Sequence, residues 1–378
     1  MINRKEFFKK INRVVLKIGT NLLTDNGEIQ LTKFKKIVDE IVTLKSYVKD
    51  LVVVTSGAIG AGYTKILKKE KPLTIPLKQA SASIGQVILM KYYMDFLGEK
   101  GFTVSQILLT DNVLNDRVRY VNARNTLNTL LQYNVIPIVN ENDTVAVDEI
   151  KFGENDTLSA LVTSLVDADL LILLSDVDGF YLNYDDNEKR VLLTEIEKIT
   201  SEIEDEAKFN GSLFSTGGMK TKLKAAKITT HHGIPMLIIS GKKDNIIKIV
   251  FSGEDEGTLF LPTTDEISQN RKRWIHLNAK AKGRIIIDDN AVIAIVEGNK
   301  SLLPKGIVSL SGDFHNYDTI EIADSSDKIV AKGLTNYNWE EVSKIKGYHS
   351  SEIESILGYR YYDVVVHKDN MVILHEKN

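Results

Sequence analysis

Side chains able to do chemistry crowd into one stretch, residues 134–161. The apolar run Val135-Ile136-Pro137-Ile138-Val139 delivers Asn140-Glu141-Asn142-Asp143. Further on, Phe152-Gly153-Glu154-Asn155-Asp156 runs into Thr157-Leu158-Ser159-Ala160-Leu161. A strand end and a helix start therefore bring amides and carboxylates together, with a glycine and an Asn-Asp pair setting the turn. Ordinary connections are polar too, but they are short and seldom repeat Asn and Asp this way. The stretch reads as a substrate pocket in preference to two capped turns.

Lys17 stands at the end of the first strand, in "VVLKIGTNLLT", ahead of Gly19, where a tight turn can aim backbone N–H groups at an anion. A lysine inside a parallel strand is costly unless it meets negative charge, the alternative being a surface lysine at a strand end. The next run, "VVVTSGAIGAG", ends in Ser56-Gly57-Ala58, open donors at the edge where α/β sheets bind ligands. Gly60, Ala61 and Gly62 read as close helix–strand packing. No G-x-S-x-G frames Ser56, so it is not a nucleophile elbow. In "LLILLSDVDGFY", Ser175 and Asp176 could touch a metal or a ribose, whereas Asp178-Gly179 reads as a chain reversal. Thr216-Gly217-Gly218 opens a helix carrying Met219, Lys220, Thr221, Lys222 and Lys224. Glycines at a helix start with lysine one turn in suit a polyphosphate, because backbone donors, dipole and ammonium groups point one way. It is not Walker A, a pattern found nowhere here. Together with Lys17 and the Asn155-Asp156 turn, this loop indicates nucleotide phosphates.

Composition narrows the alternatives. At 378 residues and 43% hydrophobic, the chain can bury a sizeable core and is long enough for two domains. Forty-eight basic against 51 acidic residues leave a net charge of −3, with no general attraction for a polyanion. The lack of cysteine excludes disulfides, thiol nucleophiles and cysteine-bound zinc. The seven histidines show no metal-ligand spacing and assemble no Ser/His/Asp triad, and His231-His232 reads as a helix end. No cysteine- or histidine-based metal site is therefore expected, and no protein metal ligand is assigned. Met1 to Glu6 lacks an apolar signal segment, and no apolar run approaches the roughly 18 residues of a membrane span. The expectation is a soluble cytoplasmic protein with no membrane partner.

What must position these groups is a series of short β-rich runs, at 14–19, 51–55, 103–109, 135–139, 170–174 and 235–239. Helical stretches alternate with them at 31–49, 84–100, 123–133, 158–167 and 219–231. Near-continuous apolar strands between helices predict a three-layer αβα domain with a mainly parallel sheet. The rhythm changes after about residue 262. We expect a catalytic domain over 1–262, a polar linker over 263–273, and a small, mostly β domain with a tail over 274–378.

The motifs "VVLKIGTNLLT", "VVVTSGAIGAG", "RYVNARNTL", "VIPIVNENDTVA", "IKFGENDTLSALV", "LLILLSDVDGFY" and "STGGMKTKLKAA" occur in an order that resembles the amino-acid kinase family. The resemblance is to its glutamate-phosphorylating members. The downstream "NRKRWI", "SLLPKGIVSLSGDF" and "GYHSSEIESILGYRYYDVVVHKDNMVIL" resemble a PUA domain. The sequence departs from the pattern at Thr157 and Ser175, where Asn and Thr are common, and both swaps keep a polar side chain. The resemblance implies transfer of the ATP γ-phosphoryl group to the side-chain carboxylate of L-glutamate, with Mg²⁺, at the start of proline synthesis. It implies that Lys17 and Lys222 flank the transferring group, that Asp156 holds both lysines, and that Ser56, Asp143 and Asn155 bind glutamate. Lys17, Ser175, Asp176 and the loop Thr216, Gly217, Gly218, Met219, Lys220, Thr221 and Lys222 would hold ATP. It further suggests a homo-oligomer inhibited by proline at or beside the glutamate site. A PUA-like tail raises RNA as a partner, but residues 274–378 hold 12 Lys and Arg against 15 Asp and Glu, a net of −3. Such a domain is a poor general binder of phosphate backbones, so a nucleic acid is not expected. The other alternative is a family member acting on a different acid.

Overall fold

Four apolar runs form the middle of one sheet: β1 (Arg13–Ile18), β4 (Asp50–Val54), β7 (Leu170–Ser175) and β11 (Met236–Ser240). Alternate side chains of each run enter opposite cores, as a pleated strand requires. Val14, Leu16 and Ile18 of β1 join one core with Leu51, Val53, Ile172 and Leu237. Val15 joins the other with Val52, Leu171, Leu173 and Ile238. Burial on both faces explains why these strands read as unbroken apolar runs.

The structure is a computed structural model and describes residues 2–25, 28–67, 74–110, 117–145, 155–182, 190–209, 218–262, 281–360 and 362–374. The chain divides into two compact units, Met1–Ile267 and Ser268–Asn378. The linker expected over 263–273 lies outside the described residues, as do Thr216, Gly217 and the turn at 152–154.

In the first unit, β5 (Val104–Leu109), β6 (Ile136–Glu141), β10 (Glu195–Ile196) and β12 (Thr258–Phe260) complete an eight-stranded sheet of order β10-β12-β11-β7-β1-β4-β6-β5. Every pair in it is parallel except β11 with β12. Two hairpins stand apart, β2 (Thr24–Asp25) with β3 (Glu28–Ile29) and β8 (Phe180–Leu182) with β9 (Val191–Leu193). The helices Leu31–Tyr47 and Ile75–Glu99 cover the first core, and the helices Asn155–Leu165 and Met219–His231 cover the second. The Ile75–Glu99 helix begins well before the expected residue 84, because Pro76 can occupy a first-turn position where no N–H is needed. The helix Ala58–Leu67 carries Gly62, and the close packing expected there is helix on helix, not helix on strand. A Cβ on Gly62 would lie 1.8 Å from the Ser81 carbonyl oxygen, and one on Gly85 would lie 1.7 Å from that of Ala58. The two glycines let the helix backbones touch.

The second unit is a five-stranded sheet of order β14-β13-β15-β16-β17, with β13 (Gly283–Ile287), β14 (Ile307–Gly312), β15 (Thr319–Ala323), β16 (Ile329–Thr335) and β17 (Val366–Ile373). Only β13 with β15 is parallel. Ile285, Ile287, Phe314, Ile320, Ile322 and Tyr337 fill its own core. Among the described residues, no helix is long and apolar enough to cross a membrane.

Candidate active site

Parallel order brings the carboxyl ends of β1, β4, β6, β7 and β11 to one edge of the sheet, where open α/β folds bind ligands. Lys17 occupies the penultimate position of β1, between Val54 and Leu173. It shares the face of Val15, so its side chain enters the layer of the Asn155–Leu165 and Met219–His231 helices. There it meets Asp156, with Nζ 2.5 Å from one carboxylate oxygen. Lys222 approaches the other oxygen at 3.2 Å, and the Thr221 hydroxyl donates to that oxygen at 3.0 Å.

Asp156 is wholly buried, and Lys17 and Lys222 are exposed by only 9% and 5%. Burial alone would push the Asp156 carboxyl up. The two ammonium groups and their hydrogen bonds outweigh it and hold the carboxyl below its ordinary range. One negative charge between two positive ones leaves a surplus positive charge in a low-dielectric site, an arrangement that favours an anion.

On one side of this trio lie the ends of β4 and β6. Gly57, with φ +96°, turns the chain out of β4 so that the Ser56 hydroxyl donates to the Ile18 carbonyl at 2.9 Å. The Thr20 hydroxyl donates to Ser56 Oγ at 3.0 Å. Asn155 donates through its amide to the Thr55 carbonyl, and to Asn140 Oδ1 at 2.9 Å. Asp143 follows β6 half-buried and without an ion pair among the described residues, and burial pushes its carboxyl up to about 6. A carboxylate desolvated in this way attracts a cation.

On the other side are the end of β7 and the Met219–His231 helix. Gly218 is the N-cap of that helix and has no side chain to cap it, so among the described residues the Met219 and Lys220 N–H groups are not capped by it. Met219 is buried, Lys220 is exposed and Thr221 is half-buried. Ser175 is buried and donates to Asp176 at 3.3 Å, while the Asn21 amide donates to the other Asp176 oxygen at 3.0 Å. Burial raises the Asp176 carboxyl. Hydrogen bonding from Asn21 and its own backbone N–H, with Lys242 and Lys222 nearby, brings it below the ordinary range. A cavity of about 150 Å³ opens beside it, lined by Asp176, Gly179, Tyr181, Arg190 and Met219. The Arg190 guanidinium stacks 3.8 Å from the Tyr181 ring centroid.

The structure thus brings Lys17, Asp156 and Lys222 into contact, flanked by Ser56, Asn155 and Asp143 on one side and by Ser175, Asp176 and Gly218 on the other. The sequence profile of the amino acid kinase family matches residues 12–240. The chain belongs to the amino acid kinase family. A PUA domain matches residues 283–357. This kinase is 48% identical over 368 residues to the glutamate 5-kinase of a Thermoanaerobacter species, spanning 96% of this chain and 98% of that one. It is 44% identical over 373 residues to the glutamate 5-kinase of Pelobacter propionicus, spanning 98% and 100%. Among solved structures, it is similar to the carbamate kinase from Giardia lamblia bound to AMP-PNP. That similarity is 17% identity with a TM-score of 0.47, over 67% of this chain and 99% of that one.

Three features around these residues escaped the sequence. Thr20 and Asn21 lie in "GTN", which begins two residues after Lys17; only backbone N–H groups were expected to face an anion there, and neither side chain was singled out. Arg190 and Tyr181 carry no local mark. Gln86 sits mid-helix, 54 residues from the Asn140 it contacts.

Proposed function

We infer that this kinase transfers the γ-phosphoryl group of ATP to the side-chain carboxylate of L-glutamate. The product is L-glutamyl 5-phosphate, and the reaction is the first step of proline biosynthesis. The observation that carries the reading is the buried Lys17–Asp156–Lys222 trio between two half-sites of opposite character. A carboxylate is already a nucleophile, so no general base is required, and catalysis reduces to alignment and charge neutralisation. The carboxylate oxygen bonds to the γ-phosphorus as the bond to the ADP oxygen breaks. Lys17 and Lys222 neutralise the transferring group, and Asp156 holds both ammonium groups in place. Ser56, Asn155 and Asp143 bind glutamate, with Asp143 opposite its α-ammonium. Ser175, Asp176 and the 216–222 loop hold ATP.

Mg²⁺ belongs to the reading as charge carried on the ATP phosphates. Among the described residues no cluster of three or more His, Asp or Glu could cage it. Mg²⁺ needs only one or two carboxylates beside phosphates, and Asp176, whose carboxyl is held below its ordinary range, would serve. Proline, which shares the ammonium and carboxylate of an amino acid, would compete beside Asp143. A homo-oligomer is supported by exposed apolar side chains along the Ile75–Glu99 helix, with Val87 70% and Met94 59% exposed. The location that supplies both substrates is the cytoplasm.

A coupled ADP-release assay across glutamate, aspartate, carbamate, acetylglutamate and uridylate tests the reading. Glutamate should give the highest kcat/KM, and a better acceptor among the others would overturn it.

A further inference from the structure

Asn155, Asn140 and Gln86 form a chain of amides whose direction is fixed at one end. The Thr55 backbone carbonyl can only accept, so Asn155 must turn its NH₂ toward it. The same NH₂ donates to Asn140 Oδ1 at 2.9 Å, which commits the Asn140 NH₂ to the opposite side. There it donates to Gln86 Oε1 at 2.7 Å. Reversing any member would set two carbonyls or two NH₂ groups against each other. The polarity therefore runs from a backbone oxygen through three side chains.

Two consequences follow at the ends. Asn155 has both amide hydrogens engaged, and what it can offer a ligand from its side chain is Oδ1, an acceptor. Gln86 Nε2 is buried with no hydrogen-bond partner among the described residues, and the residue is only 7% exposed. A buried donor without an acceptor is unfavourable, so the position holds its glutamine for the oxygen. The backbone under Gln86 is pinned as well. Its neighbour Gly85 lies against the Ala58 carbonyl, at the start of the helix that follows Ser56.

We propose that Gln86 is a positioning residue for the acceptor amino acid. It locks Asn140 and Asn155 so that Asn155 presents oxygen, and the site thereby selects a free α-ammonium over a masked one. Asp143 adds the negative charge on the same side. The proposal rests on the reading of Ser56, Asn155 and Asp143 as the glutamate subsite.

The test uses full-length Gln86→Leu, Gln86→Met and Gln86→Glu, with steady-state kinetics for glutamate, N-acetylglutamate and ATP. Loss of the acceptor oxygen in Gln86→Leu should raise the glutamate KM about tenfold, leaving kcat and the ATP KM within about twofold. The preference for glutamate over N-acetylglutamate should fall by a similar factor. Gln86→Glu keeps an oxygen toward Asn140 whether or not it is ionised, and should restore the glutamate KM to within about twofold of the parent. Gln86→Met, close in shape to glutamine, reads the same loss if the leucine variant does not fold. An unchanged glutamate KM in folded Gln86→Leu or Gln86→Met overturns the proposal. So does a Gln86→Glu variant as impaired as Gln86→Leu, since the N–H would then be the working group. A parent enzyme that does not phosphorylate glutamate overturns the functional reading itself.

Discussion

Replacing Asp143 by asparagine should move stability and substrate binding in opposite directions. Burial lifts the carboxyl from 3.8 to about 6 with no compensating partner among the described residues. A lift of roughly two units corresponds to about 3 kcal/mol at 1.36 kcal/mol per unit. The side chain is only half-buried, and solvent screening reduces that to about 1–2 kcal/mol. The sign follows from the raised value. Below about pH 4 the group is neutral in both folded and unfolded chains and costs nothing. As pH rises through about 6 the folded chain must carry a desolvated charge, and stability from this group is lost. The Asp143→Asn side chain never carries that charge, so the variant should be more stable at pH 7.5, and the difference should vanish near pH 4. For a unit of this size the gain is a melting temperature higher by about 3–5 °C. Binding should go the other way. Loss of a charge-assisted contact to the α-ammonium costs about 1.5–3 kcal/mol, an increase in glutamate KM of about 10- to 100-fold. In the parent enzyme the glutamate KM should rise as pH falls through about 6. Differential scanning fluorimetry and the ADP-release assay read the two effects. A variant with a lower melting temperature, or with an unchanged glutamate KM, would refute the reasoning and move the ammonium site elsewhere, Glu141 being the nearest alternative.

Lys17→Ala and Lys222→Ala should each lower kcat by about 100-fold or more, because in the proposed mechanism each would remove charge acting mainly on the transferring group. A variant with parental kcat and only a raised ATP KM would refute the role. Gly85→Ala would drive a Cβ to 1.7 Å from the Ala58 carbonyl oxygen, backbone that cannot swing away. It should cost about 1–3 kcal/mol or more in chemical denaturation, with reduced kcat/KM for glutamate, and parental stability would show that the helices part easily. A fragment ending near residue 265 should fold and phosphorylate glutamate, with its Mg²⁺ or proline response altered. A folded but inactive fragment would place an essential group in the rest of the chain.

Much of the first unit was legible because its signals are local. Strands buried on both faces have to be apolar at nearly every position, and β1, β4, β7 and β11 declare themselves that way. Lys17 stood out as a charge in such a run, and Gly218 with Lys222 as a glycine start one turn before a cation. Resemblance to a family then suggested the common role of Asp156. Where the chain meets itself was decided by the fold. Lys17 reaches Asp156 because it shares the face of Val15, and because the sheet order sets β1 between β4 and β7. Neither parity nor strand order can be read from the residues around position 17. The antiparallel β12 and the Gly62–Gly85 helix contact are likewise long-range packing solutions. Gln86 is the extreme case: in sequence it is one polar residue in a long helix. Its importance comes from the direction of a hydrogen-bond chain that starts at the Thr55 carbonyl, and only tertiary structure sets that direction.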